Sequence, residues 1–359
     1  MGMRRILTLA ALAVAAASPA RADMTVIASI KPVHSLVAGV MGSTGTPQVL
    51  VEGAASPHNY SLRPSQAASL ADADLVVWIG PELEAFLEKP IETIAADARS
   101  LALAETDGAT LLEQRAGGAF EDHDHAHGDD HAHGDDHAHD DDHAHDDDHA
   151  HDDHHDDDHA HDDHHDDDHA HDEHHDDDHH HGDGHAHDSH LWLDPDNARV
   201  FVGAIAAALA DIDPANAQTY RDNAGTLADR LDALQAEVAE TLEPVRDARF
   251  IVFHDAYQYF ENRFGLRASG SITVNPEVAP GADRLREIKA RIAELDGACV
   301  FAEPQFDPRV IEIVTEGTGA TSGVLDPLGA ELPAGPDHYF ALIRTMAEAF
   351  TACLGGTGR

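Results

Sequence analysis

Of the 31 histidines in this chain, 26 fall in a single tract, residues 121–189, and five stand apart: His34, His58, His190, His254 and His338. Neutral imidazole is a good ligand for zinc and neighbouring divalent ions, and a structured zinc site takes three or four ligands in a tetrahedron. His58 lies in a Gly- and Pro-containing loop, residues 52–61, that follows a short apolar run. His190 stands immediately before Leu191-Trp192-Leu193-Asp194-Pro195, where the biased tract gives way to ordinary sequence. His254 closes an apolar run and is followed by Asp255-Ala256-Tyr257. The ends of parallel strands are where α/β proteins place functional groups. Taken singly, each of the three reads more readily as a hydrogen-bonded structural histidine than as a ligand. Taken together, they would hold an ion between the two halves of the chain. His34 reads as a core-edge residue of the first helix, and His338 as a surface residue before the last one.

The tract makes a different statement. A ten-residue unit of Asp and His repeats from Asp146, Asp156 and Asp166, with Glu173 replacing one Asp. The tract holds 30 of the 68 acids, no Lys or Arg, and almost no apolar side chain. Such a segment cannot bury a core, so it reads as a disordered loop. Its histidines, among them His123, His125, His127, His131, His133, His137, His139, His143, His145, His149 and His151, would bind several ions weakly, and less well as they protonate. A solubilising acidic linker would need the acids but not the histidines.

The elements that must position the isolated histidines are legible from apolar runs and breakers. Residues 25–30, 47–51 and 75–79 read as short buried strands, with helices at 33–41 and 64–73 and one beginning at 81. The same alternation returns with strands at 250–253, 268–273, 299–302 and 322–325 and helices at 282–294, 308–316 and 339–354. Short apolar strands alternating with helices indicate parallel sheets covered on both faces. Between the two blocks, residues 195–209 and 215–242 are helical, the second about 42 Å long at 1.5 Å per residue. The expected architecture is α/β: two parallel-sheet lobes joined by a long rigid helix, with the metal site in the interlobe cleft. The expected segments are 1–22, 23–214 (carrying the tract), 215–246 and 247–359.

The first 22 residues combine two arginines, an apolar run and a small-residue ending, the pattern of a secretory signal cleaved near Ala22. The apolar run is short for a membrane span, and no Cys lies near the cleavage point to carry a lipid anchor. The net charge of −46 comes largely from the tract, since 38 acids face 22 basic residues elsewhere. That balance excludes nucleic acid, which requires clustered Lys and Arg. Cys299 and Cys353 are the two cysteines. In an oxidising compartment they allow a disulfide, with two buried free thiols as the alternative.

Several motifs, in order, carry a resemblance: His58-Asn59-Tyr60-Ser61-Leu62-Arg63-Pro64-Ser65, His190-Leu191-Trp192-Leu193-Asp194-Pro195, Phe253-His254-Asp255-Ala256-Tyr257, Val274-Asn275-Pro276-Glu277, Phe301-Ala302-Glu303-Pro304-Gln305-Phe306 and Leu325-Asp326-Pro327-Leu328-Gly329. Together they resemble the ZnuA family, the periplasmic zinc-binding subunits of zinc ABC importers. The resemblance implies a receptor, not an enzyme, that captures periplasmic Zn2+ and delivers it to an inner-membrane permease. It also implies a Cys299–Cys353 disulfide, and zinc on His58, His190 and His254; the chain is expected to act as a monomer without a lipid anchor. Some members have a Glu before the first of these histidines, but Pro57 stands there in this chain. The fourth ligand is then Asp326, which matches a carboxylate ligand of related receptors, or water. Two other classes compete. Three histidines and a water also serve zinc hydrolases, although no His-Glu-x-x-His motif occurs. A plain metal buffer would need only the tract.

Overall fold

The structure, a computed structural model, describes residues 24–115, 187–273, 276–295 and 297–356. The expected export segment 1–22, the tract up to residue 186 and its histidines from His123 to His151 lie outside the described residues.

The first lobe is a parallel sheet in the order β2-β1-β3-β4, formed by β1 (Val26–Ile30), β2 (Gln48–Val51), β3 (Leu75–Trp78) and β4 (Arg99–Ala102). Helices α1 (Lys31–Met41), α2 (Pro64–Ala71) and α3 (Ala85–Thr93) connect its strands. The second lobe repeats the order as β6-β5-β7-β8, from β5 (Phe250–His254), β6 (Ala268–Thr273), β7 (Cys299–Ala302) and β8 (Thr321–Val324). Its helices are α6 (Gln258–Phe264), α7 (Ala282–Glu294), α8 (Arg309–Thr315) and α9 (His338–Leu354). Between the lobes run α4 (Pro195–Ile212) and α5 (Ala217–Leu242).

Strand alternation sends successive side chains to opposite faces. In the second lobe Phe250 and Val252 join the central core while Ile251 and Phe253 pack under α7 and α8. The first lobe divides its strands the same way, with Ala28 and Val77 inward and Ile27 and Val76 outward. The inward residues of both lobes belong to one continuous core, into which α1, α4, α5 and α9 pack. Leu227, Leu231, Leu234 and Val238 of α5 are buried at helical spacing along its length. Helix α1 of the first lobe packs on α9 of the second and both pack on α5 within this core, so a wide opening between the lobes would expose apolar side chains at roughly 1.5–3 kcal/mol each. A disulfide joins Cys299 of β7 to Cys353 of α9, with Cα atoms 6.0 Å apart.

Some elements depart from the sequence reading. Strand β4 was not expected, because Arg99-Ser100-Leu101-Ala102 is an edge strand with no fully buried side chain. Helix α1 begins at Lys31 despite Pro32, since proline is tolerated in a helix's first turn. Helix α3 begins at Ala85 rather than residue 81. The buried Glu84 carboxylate accepts from the Ile79 and Gly80 amides at 2.9 and 3.0 Å and turns the chain there. Burial pushes the Glu84 pKa up to about 7, against these hydrogen bonds. Among the described residues, no helix is long and apolar enough to cross a membrane.

Candidate metal centre

In each sheet the strand order reverses beside the first strand, the position at which open α/β sheets form a crevice. His254 is the last residue of β5, and Glu303 directly follows the neighbouring β7. They therefore meet at the reversal point of the second lobe. His58 lies in the single 3-10 turn Pro57–Asn59 after β2, begun by Ser56, whose hydroxyl accepts from the His58 amide at 3.3 Å. Tyr60 and Gln66 fasten this loop by donating to the Leu50 carbonyl at 3.3 and 2.6 Å.

His190 enters from the segment before α4, and its motif is used almost residue by residue. Trp192 is fully buried, donates to the Pro327 carbonyl at 2.8 Å, and has its ring 5.3 Å from that of His190. Asp194 caps α4 through the Asp196 amide and is held across the lobes by Arg263 of α6 at 2.7 and 2.8 Å. The charge pair and the cap fix the backbone on which His190 stands.

The three imidazoles converge. Their ring centroids are 5.3, 5.8 and 5.2 Å apart for His58–His190, His58–His254 and His190–His254. One ligand atom from each lies within 4.8 Å of the other two. Each of the two buried rings has a carboxylate behind it. Asp188 Oδ1 lies 2.7 Å from His190 Nδ1 and also accepts the His190 amide at 3.0 Å. Glu303 Oε1 lies 2.7 Å from His254 Nδ1 and accepts the His254 amide at 3.3 Å. A carboxylate accepts, so each Nδ1 is the donor of its pair, and in the neutral ring that leaves Nε2 with a lone pair. The two Nε2 atoms face one another at 3.3 Å. Two lone pairs so placed repel unless a cation lies between them.

His58 completes the set under different electrostatics. Burial, followed by the proximity of His190 and His254, holds its pKa down to about 2. The ring is therefore neutral and able to ligate at any physiological pH. Beyond the imidazoles opens a cavity of about 420 Å³, lined also by Glu82, His187, Asp188 and Glu277. It leaves room for a small ligand at a fourth coordination position.

Asp326 is placed differently from the histidines. Its Oδ1 accepts from the Leu328 and Gly329 amides at 3.1 and 3.0 Å and from Gln305 at 2.9 Å, and its Oδ2 accepts from the Ala330 amide at 2.6 Å. It closes a turn and is not among the groups that converge with the three histidines. His338 is corrected from a surface residue to a buried one, 2 % exposed. Its ring nitrogens lie 2.9 and 3.1 Å from the Leu328 and Pro333 carbonyls. The ring packs so tightly on Gly329, at φ 65°, that a Cβ there would come within 2.8 Å of it. His34 is a buried structural histidine, with Nε2 3.1 Å from the Pro47 carbonyl. The sequence reading did not single out Asp188 or Glu303 for the site. Asp188 was hidden among the tract's thirty acids, and Glu303 becomes informative only once β5 and β7 are known to be neighbours.

Neither lobe supplies three ligands alone. A site shared between two parallel-sheet lobes on a common rigid frame is the architecture of a metal-binding solute receptor. A family model described as ZnuA, zinc-uptake complex component A, periplasmic, matches residues 26–353. The high-affinity zinc uptake system protein ZnuA of Brucella abortus is 48% identical over 329 residues, covering 92% of this chain and 91% of that one. The protein of the same name from Paracoccus denitrificans is 42% identical over 353 residues, covering 97% and 98%. A solved structure described as the crystal structure of ZnuA superposes with a TM-score of 0.65 at 23% identity, covering 92% of this chain and all of that one, a likeness of fold. The chain belongs to the ZnuA family of zinc-uptake components.

Proposed function

We propose that this chain captures Zn2+ through Nε2 of His190 and His254 and one ring nitrogen of His58, and delivers it to the membrane permease of an ABC importer. The observation that carries the reading is the meeting of three imidazoles from separate segments, two of them with Nε2 atoms facing at 3.3 Å. A water entering from the cavity completes the tetrahedron, because Asp326 spends both oxygens on its turn. Three neutral imidazoles suit zinc better than manganese, which prefers more oxygen ligands.

The ion is cargo, bound through coordination bonds and released unchanged. The protein works as a monomer in the periplasm after loss of residues 1–22, without a lipid anchor. Because one apolar core spans both lobes, capture involves loop movements around the cleft rather than a wide hinge, and docking on the permease opens the site.

The test is zinc titration of the full-length chain against a chelator that keeps the His/Asp tract empty. His58→Ala, His190→Ala and His254→Ala should each weaken the tight site by more than the roughly 10–100-fold typical of outer-shell changes. A histidine whose removal leaves the affinity unchanged is not a ligand.

A further inference from the structure

The carboxylates behind His190 and His254 form a matched pair. Asp188 and Glu303 come from different lobes, yet each uses one oxygen to accept both the backbone N–H and the Nδ1–H of its histidine. Both are buried, at 3 % and 4 % exposure. Their second oxygens, Asp188 Oδ2 and Glu303 Oε2, are buried without a hydrogen bond of normal geometry, with the Tyr257 hydroxyl near the Glu303 carboxylate. A buried carboxylate left half-satisfied is costly, and a cation held one imidazole away offsets that cost. Among the described residues, no carboxylate is hydrogen-bonded to the His58 ring in this way. The arrangement therefore sets two buried carboxylates, each one imidazole away from the point where the three rings converge.

We propose that Asp188 and Glu303 set the metal preference of the three-histidine site, favouring a divalent ion such as Zn2+ over a monovalent one such as Cu+. They are positioning residues with two roles. The hydrogen bonds fix the Nδ1–H tautomer and aim each Nε2 at the ion. The charges act through the imidazoles, and their attraction for the ion scales with its charge. At an effective dielectric near 20, removing one of them should penalise a divalent ion on the order of 10- to 100-fold more than a monovalent one. The proposal rests on the zinc-site reading above, since it concerns the charge behind those same ligands.

The experiment compares Zn2+ and anaerobic Cu+ affinities of the full-length protein, again with a competitor that keeps the tract empty. Asp188→Asn and Glu303→Gln keep an acceptor for Nδ1–H and for the backbone amide while removing the charge. Each should weaken Zn2+ about 100-fold, the upper end for outer-shell changes, and so lower the Zn2+/Cu+ affinity ratio about tenfold, with the double variant lower still. The ratio is taken within one variant, so a loss of fold stability cancels. In ¹⁵N NMR of the apoprotein the carboxamide variants should keep the Nδ1–H tautomer of His190 and His254, whereas Asp188→Ala and Glu303→Ala should lose it. Carboxamide variants that bind both ions as the wild type does, or lose both equally, would overturn the proposal. If the histidine variants also keep tight zinc, the site reading has failed instead.

Discussion

Arg115 and Asp255 are paired across the cleft: Arg115 Nε lies 2.9 Å from Asp255 Oδ2, with a second, shorter contact from Nη2 to Oδ1. Arg115 also donates to Glu261 of α6 at 2.9 and 3.0 Å. Arg115 is thus tied to the residue that follows His254. Asp255 and Glu261 are largely buried, so removing the guanidinium leaves two carboxylates without their cation. Arg115→Ala should cost on the order of 2–4 kcal/mol in urea unfolding of the apoprotein, near the lower end for breaking a buried pair because Arg115 is partly exposed. A loss below about 0.5 kcal/mol, the range of ordinary surface changes, would show that the pair does not brace the cleft.

The tract is clasped at its ends. Glu113 and His187 form an antiparallel bridge, Asp188 N donates to the Leu112 carbonyl at 2.9 Å, and the Tyr259 hydroxyl donates to the Asp188 carbonyl at 3.0 Å. Deleting residues 121–186 should therefore leave one tight zinc site and abolish the weak ones, as read by calorimetric stoichiometry. Extending the deletion through 189 takes Asp188 as well, and should weaken the tight site about 10–100-fold. Equal affinities for the two deletions would remove Asp188 from the site.

Acid sensitivity follows from His58. Its pKa is about 2 in the folded protein against an ordinary 6.5. A histidine whose folded pKa is depressed contributes stability that is present above about 6.5 and is lost as pH falls toward the folded value. Between pH 7.5 and 5.0 the apoprotein should lose about 1–2 kcal/mol through this residue. Urea unfolding at both pH values should show a smaller loss for His58→Gln, and an unchanged slope would contradict the assigned cause.

Asp326 separates a turn from a ligand. As the acceptor for three backbone amides, its replacement by Ala should cost about 2–3 kcal/mol of stability, more than a single lost cap. Lys31 holds the same loop by donating to the Ala330 and Leu332 carbonyls at 2.7 and 3.0 Å, so the loop should keep its path. Zinc affinity of Asp326→Ala should fall less than about tenfold, short of the loss expected on removing a ligand. A loss as large as that of His254→Ala would make Asp326 the fourth ligand.

The sequence by itself determined the two-lobe α/β plan, because buried parallel strands are written as short apolar runs between helical segments. It also pointed to His58, His190 and His254, whose motifs surround them with the residues that hold them: Tyr60, Trp192, Asp194 and Asp255 all do local work beside their histidine. Tertiary structure alone decided the rest. Asp326 before a proline is as good a ligand as a turn residue until its oxygens are seen occupied by amides. His338 looks exposed until Gly329 is found against its ring. Glu303 is 49 residues from His254, and only the pairing of β5 with β7 brings them together. Sequence records which groups a chain carries and its local periodicity. Coordination chemistry depends on which lone pairs meet within a few ångströms, and that is set by strand order and packing between segments far apart in the chain.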